Sequence, residues 1–133
     1  TTGEAKVIQD ADALGGYILE LGNNAGNDEA WVHWNEFQKI DPNKLYRVRA
    51  RFRRVLGETG SIYLGVACKN ADQSKYVTTT NSLAGDMGSS NYLLSAIKPN
   101  LGEWQEGVLY MKGKSTGAAT GLGTIENPRT FPA

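Results

Sequence analysis

Two neighbouring segments of the chain alternate between apolar and polar residues. In residues 46–53, Tyr, Val, Ala and Phe alternate with four arginines, and in residues 62–69, Ile, Leu, Val and Cys alternate with Tyr, Gly, Ala and Lys. Successive side chains on a strand point to opposite faces, so each segment predicts a strand with one apolar face. Residues 56–60 contain two glycines and predict the turn of a hairpin that pairs the two strands. Such a hairpin would place the arginines and Tyr63 on one polar face.

Shorter runs of the same kind predict further strands, separated by turns rich in Gly and Asn. They fall at residues 5–8, 17–21, 29–34, 76–80, 91–97 and 105–112. No helix of useful length is indicated, residues 113–123 predict a loop, and the residues after them predict an extended tail. Many short strands with Gly-rich turns are typical of an all-β, antiparallel β-sandwich, and the length fits a single domain over residues 1–133.

Charge and cysteine content narrow the function classes. The chain has 14 basic and 14 acidic residues, so its net charge of zero argues against a nucleic-acid partner held by bulk charge. No apolar run is long enough to span a bilayer, so membrane insertion is not expected. The single cysteine, Cys68, excludes an intrachain disulfide and a cysteine-based zinc site, and its place in an apolar row predicts a small buried side chain.

The motifs of common enzyme classes give no catalytic assignment. The sequence has no His-Glu-x-x-His pattern and no phosphate-binding Gly-rich loop that opens a helix. Its only histidine, His33, cannot form a catalytic triad without a paired nucleophile and acid within reach. The chain is therefore predicted not to be an enzyme.

A family resemblance is carried by the order of five short segments. They are Gly-Tyr-Ile-Leu at 16–19, Trp-Val-His at 31–33, the segment 40–51 that includes the first three arginines, Ser-Ile-Tyr-Leu-Gly-Val-Ala at 61–67, and Gly-Glu-Trp-Gln-Glu at 102–106. In this order they resemble the jelly-roll domains related to carbohydrate-binding module families 4 and 9. They are most similar to the version found in phage tail and other virion proteins, over roughly residues 10–113.

The resemblance implies a galactose-binding-like jelly roll that binds glycans in host recognition, or serves as a scaffold, without doing chemistry. The partner would be a polysaccharide or other glycan, and the location a virion or the extracellular space. The alternative is a structural or assembly domain of a virion, in a tail, fibre or decoration element, that binds other virion subunits or forms a homo-oligomer. Family members continue with two further strands, so the resemblance predicts final strands that are lacking or remodelled here.

The candidate ligand-binding residues combine arginines with aromatic side chains. A guanidinium fork donates two parallel hydrogen bonds to a carboxylate or sulfate, and an aromatic ring can pack on the apolar face of a sugar. The candidates are Trp31, His33, Arg47, Arg49, Arg51, Tyr63 and Tyr76. The alternative for the arginines is a solvated outer sheet face.

Like charges spaced two residues apart on a strand repel, so the arginines require carboxylate partners or an anionic ligand. The candidate carboxylate partners of the arginines are Glu29, Glu36, Glu103 and Glu106. The tryptophans Trp34 and Trp104 are predicted to lie in the core of the sandwich.

Acidic residues in two loops are candidates for a structural calcium ion. Asp10, Asp12 and Asp28 supply oxygen ligands of the kind that Ca²⁺ takes, and the family resemblance also implies such a site. Their spacing does not match an EF-hand, and the alternative is that they are ordinary turn residues. No other cofactor is predicted.

Overall fold

The computed structural model describes residues 4–22, 36–56, 62–86, 92–116 and 121–133. The chain divides into two compact units, Thr1–Gln38 and Lys39–Ala133, which are described separately. The described residues form nine strands and no helix. The strands are β1 (Glu4–Gln9), β2 (Tyr17–Gly22), β3 (Tyr46–Arg53), β4 (Ile62–Lys69), β5 (Tyr76–Val77), β6 (Leu83–Ala84), β7 (Tyr92–Ile97), β8 (Trp104–Ser115) and β9 (Arg129–Pro132). The predicted all-β fold class is confirmed.

The first unit contains an antiparallel hairpin of β1 and β2, in which Val7 lies opposite Leu19. Its turn is held by the backbone N–H of Asp10, which donates to the carbonyl oxygen of Gly16 at 3.0 Å. Gly16 adopts a φ of 76°, a conformation that glycine reaches without a steric penalty. One side of the hairpin presents large exposed apolar side chains, namely Val7, Tyr17, Leu19 and Leu21.

The second unit contains two sheets, with strand orders β3-β8-β9 and β6-β5-β4-β7. The pairs β3–β8, β4–β5, β4–β7 and β5–β6 are antiparallel, and β9 runs parallel to β8. Strands β3 and β4 both form as the alternation predicts, but they belong to different sheets. The predicted pairing of these two strands in one hairpin is therefore wrong.

The core of the second unit lies between the two sheets. Leu109, Met111 and Phe131 are its buried centre, and partly buried apolar side chains from both sheets pack against them. The packing side chains include Tyr46 and Val48 of β3 and Leu64, Val66 and Cys68 of β4. The apolar faces of β3 and β4 thus meet across the core in a sandwich-like arrangement, and their polar faces point away from each other.

The last strand closes the core where the sequence predicts an extended tail. Phe131 of β9 is 4% exposed, and its ring meets the edge of Tyr46 with centroids 5.6 Å apart and planes at 87°. The strand is short and contains Pro132, which is tolerated at a sheet edge because proline cannot donate to a further strand. Strand β9 is thus part of the packed unit.

Cys68 lies on the inner side of β4. Burial raises the pKa of its thiol from 9.0 to about 11, and the positive charge of Lys114 lowers this pKa by a smaller amount. An unfolded chain loses this proton near pH 9.0, whereas the folded chain keeps it until about pH 11. The contribution of the protonated Cys68 thiol to the free energy of unfolding is therefore complete below pH 9.0. It is lost as the pH rises through about 11.

Because only the thiolate reacts, we expect alkylation of Cys68 in the folded chain at about pH 9 to be on the order of 100-fold slower than in the urea-unfolded chain. Iodoacetamide labelling followed by mass spectrometry measures both rates. Equal rates in the two states would contradict the burial of this thiol.

Candidate functional site

The polar side of β3 faces outward together with one side of β8. Residues directly opposite each other in an antiparallel ladder share a side of the sheet, so the register decides which side chains meet. The pairs on the outer side are Arg47 with Tyr110, Arg49 with Val108, Arg51 with Glu106, and Arg53 with Trp104. We call these eight residues the arginine face. It carries four guanidinium groups and one carboxylate, although the whole chain has no net charge.

The single carboxylate of the arginine face is engaged by one arginine. Glu106 lies diagonally across the ladder from Arg49, and its Oε2 accepts a hydrogen bond of 2.7 Å from the Arg49 Nε. The pKa of Arg49 is raised, first because of this hydrogen bond and then because of the negative charge of Glu106. The prediction that Glu106 partners an arginine is confirmed. Glu103, another of the predicted partners, instead accepts a hydrogen bond of 2.8 Å from the side-chain amide of Asn100.

Two arginines gather at the Trp104 ring. The guanidinium carbon of Arg51 lies 5.3 Å from the ring centroid, and that of Arg53 lies 4.8 Å from it. These distances are in the range where a cation is attracted to the face of an aromatic ring. The predicted core position of Trp104 is wrong, because this residue is half-buried on the outer side of β8.

The opposite end of the arginine face is formed by Arg47 and Tyr110. Arg47 is exposed, and within the described residues it has no ion pair. Tyr110 is half-buried, and its backbone N–H donates to the carbonyl oxygen of Leu122 at 2.8 Å. Neither Tyr110 nor Trp104 is among the site residues predicted from the sequence. Both share the parity of Glu106 along the strand, and this spacing of two is the signal in the sequence that points to them.

Two predicted ligand-binding residues lie on the other sheet. Tyr63 is 60% exposed on the outer side of β4. Tyr76 of β5 stands opposite Lys69, whose ammonium lies 4.9 Å from the centre of the tyrosine ring. The predicted single face of arginines and Tyr63 is therefore wrong, because β3 and β4 face each other across the core. Trp31 and His33 lie outside the described residues, so their roles stay predictions.

Asp10 and Asp12, two of the candidate calcium ligands, lie in the turn between β1 and β2. The carboxylate Oδ1 of Asp10 accepts a hydrogen bond of 2.8 Å from the backbone N–H of Asp12. Across the part of the chain that the structure describes, no three His, Cys, Asp or Glu side chains come together in a group that could hold a metal ion. Asp28 lies outside the described residues, so the calcium site stays a prediction.

Residues 113–117 read Gly-Lys-Ser-Thr-Gly and match the Gly-x-Ser-x-Gly pattern of hydrolase nucleophiles. That chemistry needs the serine on a sharp turn between a strand and a helix. Ser115 instead lies at the end of β8, opposite Pro132, and its hydroxyl is 2.6 Å from that of Thr130. This serine ties β8 to β9, and its setting does not support a catalytic assignment.

Comparisons with protein-family models, with curated proteins and with solved structures find no match to this chain. Within the described residues, no helix has the length and apolar character needed to cross a membrane.

Proposed function

We propose that this chain is a non-catalytic glycan-binding module that recognises acidic glycans through the arginine face. The observation that carries the proposal is the charge imbalance of that face, where one carboxylate meets four guanidinium groups. Arg49 takes up this carboxylate, and Arg47 and Arg51 have no ion pair within the described residues. An anionic ligand would relieve the repulsion along β3 and would accept paired hydrogen bonds from the guanidinium forks.

The aromatic side chains support a glycan as the carrier of the negative charge. Tyr110 and Trp104 stand at opposite ends of the face, six residues apart on β8. On a strand this separation corresponds to roughly 20 Å, so the face is long enough to contact several units of an extended polymer. The sequence resemblance to the jelly-roll modules of phage virions supports a role in host recognition, with the glycan on the host surface.

Affinity electrophoresis in gels that contain an acidic polysaccharide tests the proposal. We expect strong retardation of the native chain and weak retardation of the Arg47→Ala/Arg51→Ala double variant. The control, Lys75→Ala/Lys98→Ala, removes the same charge from exposed positions outside the arginine face. Equal retardation of the two double variants would show that only net charge matters and would overturn the proposed site.

Replacement of the one acid on the face should have the opposite effect. We expect Glu106→Gln to increase retention on the acidic polysaccharide several-fold, since it removes a repulsive charge and frees the Arg49 fork. Glu103→Gln makes the same change in charge just outside β8 and serves as the control. Comparing the two variants at one ionic strength gives the measurement, and an unchanged or reduced retention of Glu106→Gln would contradict the expected result.

The second candidate, a structural or assembly domain of a virion, is favoured by a different observation. Val7, Tyr17, Leu19 and Leu21 form an exposed apolar side on the β1–β2 hairpin, and such a surface marks protein contacts. Light scattering coupled to size exclusion tests this candidate. A discrete oligomer that dissociates on Leu19→Lys, with no retention on acidic polysaccharide, would favour assembly over glycan binding.

A further inference from the structure

We propose that the Tyr110 end of the arginine face is a subsite for a uronic acid unit, in which the carboxylate is bonded directly to the sugar ring. This inference rests on the proposed function and names the acidic sugar that the face prefers. It is drawn from the register of the β3–β8 ladder, which sets one guanidinium group, Arg47, directly opposite one aromatic ring, Tyr110.

Arg47 offers a single guanidinium fork to a ligand. Its side chain is exposed, and within the described residues it has no ion pair and no contact with an aromatic ring. The next arginine on the same side, Arg49, already has its Nε 2.7 Å from the Glu106 carboxylate. One fork matches the two oxygens of one carboxylate through two parallel hydrogen bonds. Arg47 therefore suits a carboxylate.

Tyr110 supplies a surface for the sugar ring itself. It is half-buried on the outer side of β8, and its backbone is held by the hydrogen bond of 2.8 Å from its N–H to the carbonyl oxygen of Leu122. In the part of the chain that the structure describes, no cation lies over the Tyr110 ring, whereas two guanidinium groups already contact Trp104 at the other end of the face. The Tyr110 ring can therefore pack against the apolar face of a sugar.

The short distance across the ladder decides between acidic sugars. The Tyr110 N–H donates to Leu122 and not to β3, so Arg47 and Tyr110 form a non-hydrogen-bonded pair. Side chains are closest in such pairs, with Cβ atoms about 4.5–5.5 Å apart. In a uronic acid the carboxylate carbon is bonded to the ring, so the charge lies beside the apolar face. A sulfate ester or a carboxymethyl group sits further out, and the pair therefore favours the uronate.

Lys112 contributes charge to this end of the face without a preference of geometry. It follows Tyr110 by two positions on the outer side of β8 and is exposed. An ammonium group is a compact point charge, whereas the guanidinium fork is planar and directional. We therefore expect Lys112 to attract acidic polymers of every kind alike, and the preference for a uronate to depend on Arg47 and Tyr110.

Cellulose derivatives that share one backbone and differ in their charged group test the inference with the full chain. The probes are a polyglucuronate (cellulose oxidised at its primary hydroxyl groups), carboxymethyl cellulose and cellulose sulfate at equal charge per sugar, with hydroxyethyl cellulose as the neutral blank. By calorimetry at one ionic strength, we expect the polyglucuronate to bind about five- to tenfold more tightly than either of the other charged polymers. We expect Arg47→Lys to reduce this ratio towards one, because lysine keeps the charge but loses the planar fork.

Tyr110→Leu keeps an apolar side chain but removes the flat ring, so it should reduce the ratio as well. Arg51→Lys is the matched control, since it makes the same exchange on the same strand and should change the binding of all three charged polymers alike. Equal binding of these polymers by the native chain, or tighter binding of the sulfate, would overturn the subsite while leaving the proposed function intact. A ratio that survives Arg47→Lys, or that falls equally with Arg51→Lys, would also overturn it. Failure to bind any charged polymer would instead overturn the proposed function.

Discussion

Replacing Phe131 with alanine is expected to lower the free energy of unfolding of this chain by about 3–5 kcal/mol. The ring is 4% exposed and packs with Leu109 and Met111, which are fully buried. Removing it deletes the edge contact with Tyr46 and leaves a cavity between the sheets that only partial relaxation can fill. Urea denaturation monitored by tryptophan fluorescence measures the change.

Ile125→Ala is the matched control for Phe131→Ala. Ile125 lies in the same C-terminal segment but is 58% exposed, so its loss should change stability by no more than about 0.5 kcal/mol. If both variants were equally stable, the four-residue strand β9 would contribute nothing to the core. The comparison therefore decides whether residues 129–132 act as a packed strand or as the extended tail that the sequence predicts.

The strands that could be predicted are those whose alternation is long. In β3 and β4, eight alternating residues identify both the strand and its buried side, because successive side chains point to opposite faces of the sheet. Alternation does not say which strand lies alongside. The partner of β3 is β8, more than fifty residues further on, and no local pattern encodes that choice. Strand β9 was missed because four residues ending in Pro132 are too few to show a period.

The candidate site was predictable to the same extent. The alternation in β3 correctly predicts that its arginines face outward. Glu106 is also among the carboxylate partners that the sequence predicts for them. The predicted place of Tyr63 on the arginine face depends on β4 being the neighbour of β3, and the true topology places Tyr63 on the other sheet. The core position predicted for Trp104 is wrong, because the parity of this residue in β8 places it on the side opposite to Leu109. Within a strand, parity is thus a better guide to burial than residue type.

Gly107 lies where side chains of the facing sheet come close to the backbone of β8, and Gly107→Ala is expected to destabilise the fold by about 1–3 kcal/mol. A Cβ at this position would lie 2.7 Å from Ile97 Cδ1, 3.1 Å from Leu64 Cδ2 and 3.3 Å from Phe52 Cε1. In an open strand, exchanging glycine for alanine would instead stabilise by roughly 0.5–1 kcal/mol. The sign of the measured change therefore reports whether the sheets approach this closely. Gly85→Ala, with nothing within 4 Å of the added atom, is the control and should be neutral or slightly stabilising.

A double-mutant cycle assigns the cost of Gly107→Ala to a particular contact. Ile97→Val removes the Cδ1 atom that lies nearest to the new methyl group, at a cost of about 0.5–1.5 kcal/mol on its own. In the Gly107→Ala/Ile97→Val variant the methyl group occupies the space that Cδ1 has vacated. The double variant should therefore be more stable than the sum of the single changes predicts, by at least about 0.5 kcal/mol. Strict additivity would mean that Gly107 is not the point where β8 meets Ile97 across the core.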